Sequence, residues 1–314
     1  MRTRILLWAS LACLPLLAKE ATVYVQPKDG AGTEVKTSLG AIRVSVDGKV
    51  RSIPLSSLLS VHSGEAATPG ESARILDGIS AIQGTDRKAR DLAVESLTLI
   101  GVPVMTPLLK AYKDTDQHEP KPLYRLFERI MPSHADTLDR ELSLIRLTSG
   151  EAIRGKVEPF QLGSLPWDKI RFFAVRQNSI TRRVEVHSLR HSTQIEYFDT
   201  AILFTNGSRA TASASGFSRL SWETDGWATD PNGLQKPGPN YKTNLVDGHP
   251  FGALVGRFQA AGEVFFVGKS WTQKAPGEGR LYLAVNDNRH WQNNLGTYRV
   301  TVTANNAYDV GDAQ

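Results

Sequence analysis

The strongest constraint on the fold is a two-residue alternation of apolar and polar side chains in the last third of the chain. Residues 297–303 read Thr-Tyr-Arg-Val-Thr-Val-Thr, and in residues 280–285 every second residue is a large aliphatic one. Neighbouring side chains of a strand point to opposite faces, so each segment has one apolar face. Such strands, separated by turn residues, are typical of a sandwich of antiparallel sheets. We therefore expect a β-sandwich over residues 181–305 and a flexible tail at 306–314.

Two further stretches predict small β modules nearer the N-terminus. Residues 19–65 alternate in several short runs, and Asp47-Gly48 favours a tight hairpin turn. Residues 139–180 contain a second hairpin around Ser149-Gly150 and resemble a small SH3-like barrel, a fold that carries no function by itself. Between these modules, the stretch 63–72 is rich in Gly, Pro, Ser and Ala and is interpreted as a linker.

Residues 66–138 predict a helical segment. Apolar residues recur at helical spacing over residues 89–100, and Thr85 or Asp86 can cap the start of this helix. Thr106-Pro107 can start a second helix, because proline is well tolerated at the first helical position. The pattern resembles one or two HEAT-like repeats, and an ordinary helical hairpin explains it equally well.

The first 18 residues have the pattern of a secretory signal peptide. Arg2 and Arg4 precede an apolar run that ends before Lys19-Glu20. The run is shorter than the roughly 20 residues that span a bilayer, and no later stretch is apolar enough, so we expect no membrane span after cleavage. Retention as an uncleaved anchor is the alternative. Cys13 is the only cysteine, so the mature chain has no thiol and can enter an oxidising compartment. We expect a secreted or periplasmic protein.

Charge and motifs argue against two classes of function. The net charge is +5, of which Arg2 and Arg4 contribute two, and the remaining basic residues are scattered. A nucleic-acid partner would require Lys and Arg gathered on one face, so we expect none. The chain has no Gly-x-Ser-x-Gly elbow, no His-Glu-x-x-His pair and no phosphate-binding Gly loop. We therefore expect a protein that is not an enzyme.

Two segments of the last third are rich in small oxygen-bearing side chains where strands end. Residues 226–233 read Gly-Trp-Ala-Thr-Asp-Pro-Asn-Gly, and residues 286–294 read Asn-Asp-Asn-Arg-His-Trp-Gln-Asn-Asn. Calcium binds six to eight oxygens from carboxylates, amide carbonyls and backbone carbonyls, which is the mixture that these loops supply. Asp and Asn are also common turn formers, so spacing alone leaves both interpretations open.

A larger ordered set of short motifs runs from about residue 184 to residue 303. These are Phe198-Asp199-Thr200, Asn206-Gly207, Ala212–Gly216, Gly226-Trp227-Ala228, Pro250–Arg257, Phe265–Gly268, Ala275-Pro276, Gly279–Leu283, Asn286-Asp287, Asn293-Asn294, Gly296 and Tyr298. The set resembles the PA-I galactophilic lectin family, which consists of calcium-dependent β-sandwich lectins. The resemblance implies that the sandwich is a lectin-like jelly roll. Together with the patterns upstream, we expect a mainly β chain with a small helical segment, in which small β modules and a helical hairpin precede the sandwich.

The resemblance also implies a metal site. In that family one loop gives calcium an Asp and a later Asn-Asn pair, and the opposite loop adds a backbone carbonyl. Carried over by position, Asp287 is the carboxylate ligand, and Asn293 and Asn294 are amide ligands and sugar contacts. Asp230 falls where the opposite loop donates its carbonyl, and Trp291 lies near a second carbonyl donor.

For the sugar, the resemblance implies that Asn288 makes contact through its backbone and that His249 is a further contact. The sequence departs from the family pattern in three ways. The loop between the Asp and the Asn pair is one residue shorter, Trp291 replaces a small residue, and the loop over residues 239–251 is shorter. We expect an exported carbohydrate-binding protein that takes galactose-type or related sugars, without catalysis, with calcium as cofactor. The alternative is a cell-envelope structural or interaction protein whose sandwich has lost sugar binding. The sequence makes no prediction about oligomeric state.

Overall fold

A computed structural model describes residues 20–114, 123, 126, 130, 142–193, 196–221, 227–234, 246, 248–287 and 293–311. The helices of this part of the chain are α1 (Pro69–Gln83), α2 (Arg87–Ile100) and α3 (Met105–Asp114). The strands before residue 176 are β1 (Ala21–Pro27), β2 (Thr33–Thr37), β3 (Ala41–Val46), β4 (Lys49–Pro54), β5 (Leu58–His62), β6 (Ser143–Leu147), β7 (Ala152–Val157), β8 (Gln161–Leu162), β9 (Leu165–Pro166) and β10 (Ile170–Val175). The later strands are β11 (Gln177–His187), β12 (Phe198–Phe204), β13 (Arg209–Arg219), β14 (Ala228–Thr229), β15 (Leu254–Phe258), β16 (Val264–Phe266), β17 (Ser270–Lys274), β18 (Gly279–Val285) and β19 (Leu295–Asp309). The predicted class, mainly β with a small helical segment, is confirmed.

The two stretches predicted as separate β modules form one sheet. In the described part of the chain its order is β2-β1-β10-β5-β6-β7-β3-β4. Strand β1 from the first stretch pairs with β10 from the second, and β5 pairs with both β10 and β6. The predicted separation into residues 19–65 and 139–180 is therefore wrong. Alternation along a strand identifies its buried face, but it does not identify a partner that lies far away in sequence.

Each stretch contributes the same series of elements to this sheet. A hairpin (β1-β2 or β6-β7) is followed by a second hairpin (β3-β4 or β8-β9), a 3-10 turn and a last strand (β5 or β10). Pro54 and Pro166 stand directly before the two turns. The first hairpin of each series pairs with the last strand of the other, so the two series are interleaved.

The helices are inserted between the two series. Asp86 accepts hydrogen bonds from two backbone amides at the start of α2, as the sequence predicts. The interpretation of residues 63–72 as a linker is wrong, because α1 already begins at Pro69. Thr68 and Glu71 form a capping box there, which stabilises a helix start despite the neighbouring Pro and Gly. The apolar core of this segment includes three helical residues beyond α3, namely Leu123, Leu126 and Ile130.

One further property of these helices concerns membranes. No single helix of the described residues is long and apolar enough to cross a bilayer, although Arg87–Ile100 and Val102–Lys113 reach that length as a pair bent by 117°.

The last part of the chain is the predicted sandwich. One sheet contains β11, β19, β13, β17 and β14, and the other contains β12, β18, β15 and β16. The sheets join where the end of β19 pairs with β12, at Ile202 opposite Asp309. Alternate residues of β19 and β18 fill the core between them, as the alternation predicts. The predicted flexible tail at 306–314 is wrong for its first four residues, because β19 continues through Asp309. The aromatic ring of Tyr308 is fully buried and holds the strand end in place.

The sandwich is packed against the first sheet and against α2. An apolar contact joins the first sheet to the end of β19, and its members are Tyr24, Phe172, Ala174, Ala201, Leu203, Tyr308 and Val310. The Tyr24 hydroxyl donates a hydrogen bond to Glu278 (2.7 Å), just before β18 begins. Asp91 of α2 forms an ion pair with Arg257 (3.0 Å), and Glu95 accepts the amide of Ala260 (3.0 Å). The sandwich is therefore anchored near the start of β18 and the end of β19.

Candidate functional site

The predicted carboxylate and amide ligands meet at the opposite end of the sandwich. Asp287 follows β18 and Asn294 precedes β19, and each side chain is only 1% exposed. The amide nitrogen of Asn294 donates hydrogen bonds to a carboxylate oxygen of Asp287 and to the carbonyl of Ser188 (3.1 Å). Within the described residues the amide oxygen of Asn294 is buried and has no hydrogen-bond partner. A buried carboxylate and an unsatisfied buried amide oxygen thus lie side by side.

The turn after β11 holds these two residues in place. The hydroxyl of Thr193 accepts the amide of Asp287 (3.1 Å) and lies 3.2 Å from the Asp287 carbonyl. Ser188 accepts the Asn294 amide, and its hydroxyl donates to the carbonyl of Gly296 (3.1 Å). Sequence reasoning missed Ser188 and Thr193, because short hydroxyl side chains in a turn look like ordinary turn formers.

The carbonyl and the carboxylate of Asp230 have different partners, and the carbonyl accepts the amide of Gly233 (2.9 Å). The hydroxyl of Tyr298 lies 3.0 Å from the Asp230 carbonyl and 2.7 Å from that of Gly252. The Asp230 carboxylate instead binds Lys269 (2.7 Å) and accepts the amide of Asn232 (2.8 Å). These contacts lower the pKa of Asp230, with the Lys269 hydrogen bond as the largest cause. The carbonyl is the group that the family resemblance assigns to the metal.

Tyr298 contacts the Asp230 carbonyl, and acidic charges nearby affect its pKa. Burial raises the pKa of Tyr298, and the negative charges of Asp230 and Asp287 raise it further. The phenol therefore remains protonated and available as a donor near both acidic residues. Tyr298 is fully buried and belongs to the sandwich core, and its hydroxyl lies within hydrogen-bond distance of the carbonyls of Asp230 and Gly252.

A hydrogen bond between His249 and Asn286 connects the segment before β15 to this end of the sandwich. The ring Nε2 of His249 lies 3.3 Å from the carbonyl of Val264, which can only accept, so the ring nitrogen donates. The carbonyl of His249 accepts the side-chain amide of Asn286 (3.1 Å), the residue directly before Asp287. The backbone of His249 therefore lies close to the candidate site while its ring contacts β16.

The structure describes some of the predicted site residues and not others. Asp287, Asn294 and the Asp230 carbonyl belong to one end of the sandwich, and the partly buried Asn293 directly precedes Asn294. Asn288 and Trp291 lie outside the described residues. In the described part of the chain, no three His, Cys, Asp or Glu side chains form a metal-binding group. A cation here would therefore depend on one carboxylate together with amide and backbone oxygens, which is an acceptable donor set for calcium.

The chain was compared with family models, curated proteins and solved structures. No family model matches the chain, and no curated protein matches it significantly. Among solved structures, the EclA N-terminal domain, described as a PllA-like lectin, is 25% identical and has a TM-score of 0.31. The match covers 40% of this chain and 96% of that one.

Proposed function

We propose that the sandwich binds carbohydrate, without catalysis, through a calcium ion held between Asp287 and Asn294. The unsatisfied amide oxygen of Asn294 is the observation that supports this proposal most directly. Leaving a buried polar atom without a partner costs about 1–3 kcal/mol. A bound cation would satisfy that oxygen and also compensate the buried charge of Asp287. The residues present therefore fit a cation.

The proposed ligands are all oxygens. They are the carboxylate of Asp287, the side-chain amides of Asn293 and Asn294, and the carbonyls of Asp230 and Trp291. This set falls just short of the six to eight oxygens that calcium prefers, which leaves positions for two sugar hydroxyls. Bound calcium would supply the positive centre on which neighbouring hydroxyls dock. Galactose-type sugars are the proposed ligands because the family resemblance names them.

Further sugar contacts are proposed around the ion. Asn288 would contact the sugar through its backbone. For His249, the hydrogen bond of its ring to Val264 favours a backbone contact over a ring contact. We also propose that the chain is exported, which suits a protein that binds glycans outside the cytoplasm.

The decisive experiment compares melting curves with calcium and with a chelator. Calcium that binds only the folded state stabilises it by about 2.7 kcal/mol at a hundredfold excess over its Kd. Asp287→Asn keeps the shape and the contact with Asn294 but removes the formal charge, so it should abolish most of that stabilisation. Galactose binding, measured by calorimetry, should be lost with it.

Asp47→Asn is the matched control, because Asp47 lies in the β3–β4 turn at a φ of 49°, where Asn is well tolerated. This variant should respond to calcium as the wild type does. Identical curves with and without calcium for the wild type would refute the proposal and favour an envelope interaction protein without a sugar site.

A further inference from the structure

Asn286 makes an unusual number of hydrogen bonds to one short segment of the chain. It is fully buried and lies between the end of β18 and Asp287. Its amide nitrogen donates to the carbonyls of His249 (3.1 Å) and Pro250 (3.2 Å), and more weakly to that of Val246 (3.5 Å). Its amide oxygen accepts the backbone amide of Val246 (3.1 Å). The side chain is thus saturated by the backbone of residues 246–250.

The backbone of Asn286 has a separate role. Its amide donates to Ala253 (2.8 Å) and its carbonyl accepts from Gly252 (2.7 Å). These bonds extend the pairing of β15 with β18 by one step, and any residue could make them. The side chain is therefore what reaches beyond the sheet to residues 246–250.

We infer that Asn286 is a positioning residue that holds the backbone of Val246, His249 and Pro250 next to the proposed cation site, and so determines sugar affinity without binding the cation. The inference rests on the proposed function. In the described part of the chain, none of the side-chain contacts of Asn286 involves Asp230, Asp287 or Asn294, so these proposed cation ligands do not depend on that side chain. The same side chain determines where His249 and Pro250 stand relative to them.

Only a side-chain amide of the length of Asn can donate to the carbonyls of His249 and Pro250 and also accept the amide of Val246. An Asp at this position accepts the Val246 amide but cannot donate to the two nearby carbonyls when it is ionised. An Ala makes none of these bonds and leaves the buried carbonyls of His249 and Pro250 without this donor. In both variants the segment should move while β18 and Asp287 stay in place.

The test measures three properties of the full chain carrying Asn286→Asp or Asn286→Ala. These are calcium affinity from melting curves, galactose affinity by calorimetry, and hydrogen exchange of residues 246–250 by mass spectrometry. Asn286→Asp should lower galactose affinity at least tenfold and accelerate exchange of this segment. Its calcium affinity should stay within threefold of the wild type or increase, because the added negative charge lies next to the cation ligands.

Val302→Ala controls for general loss of stability, because Val302 is fully buried in the sandwich core on β19. It should lower the melting temperature but keep both affinities. A parallel loss of calcium and galactose affinity in the Asn286 variants would overturn the inference, as would unchanged galactose affinity or unchanged exchange. A wild type that binds neither calcium nor galactose would instead overturn the proposed function, and the positioning role of Asn286 with it.

Discussion

Arg171 and Glu71 form a buried ion pair, and the stability of the N-terminal half should be sensitive to its removal. Arg171 lies in β10 and is 1% exposed, and Glu71, in the first turn of α1, is fully buried. The guanidinium donates two hydrogen bonds to the Glu71 carboxylate, at 2.7 and 2.8 Å. Its remaining donors bind the carbonyls of Ser63, Glu65 and Ala66. One side chain thus orders the whole stretch between β5 and α1.

The expected cost of removing this arginine is large. Arg171→Met keeps much of the volume but leaves the Glu71 carboxylate buried without its cation. Breaking a buried pair in this way typically costs about 3–5 kcal/mol. For a chain of this size the melting temperature should fall by on the order of 10 °C. The double variant Arg171→Met with Glu71→Met should lose less than the two single variants together, because no uncompensated charge remains.

Denaturant unfolding followed by circular dichroism measures these differences. Arg183→Met is the control, because Arg183 lies on β11 in the outer face of the sandwich, and it should cost less than about 0.5 kcal/mol. In Arg171→Met, residues 63–72 should also become sensitive to protease. A loss below about 1 kcal/mol for Arg171→Met would refute the argument.

The same pair predicts a pH dependence. Burial alone would raise the pKa of Glu71, but hydrogen bonds from Arg171 and from the amide of Thr68 outweigh it and lower that pKa. The stabilisation is therefore complete above the unfolded-state value, about 4.3 for Glu, and is lost as the pH falls through the lower folded-state value.

Two further predictions concern other parts of the chain. Burial raises the pKa of Glu95, although Arg280 and the Ala260 amide oppose it, so its contribution to stability falls as the pH rises through its folded-state pKa. In urea unfolding, Glu95→Gln should have the same free energy of unfolding as the wild type near pH 4 and at least the same at pH 7. A variant that is less stable than the wild type at pH 7 would contradict this. The export proposal predicts a mature protein that begins near Lys19, and N-terminal sequencing of the secreted material that found Met1 would contradict it.

Local patterns predicted the elements of this fold better than their partners. The alternation of β18 and β19 specified which side chains enter the core, and Asp86 specified the start of α2. Helix α1 lies within the predicted helical segment 66–138, but its start was missed because Pro69-Gly70 resembles a linker. Its stability depends on Arg171, a hundred residues away from Glu71 in sequence. Long-range pairing of this kind leaves no periodic signal.

In the candidate site, too, the sequence predicted residues within local motifs but not the distant residues that contact them. Asp287 and Asn294 were identified through the ordered motifs of the family resemblance, whereas Ser188 and Thr193, which hold them, belong to no motif. Their role follows from the turn after β11 packing against the ends of β18 and β19. Such contacts arise only when three distant segments meet, so residue spacing could not have indicated them.

The first sheet contacts the sandwich at the end that lies away from the candidate site. Strand β18 begins beside Glu278, which binds Tyr24 of the first sheet, and it ends at Val285, just before Asn286 and Asp287. At about 3.4 Å per residue, its seven residues separate the two ends by roughly 24 Å. Strand β19 runs antiparallel to the neighbouring strands from Asn294 at the candidate site to the buried Tyr308 at the anchored end. The N-terminal sheet and α2 therefore contact the sandwich near the start of β18 and the end of β19, at the other end of these strands from Asp287 and Asn294.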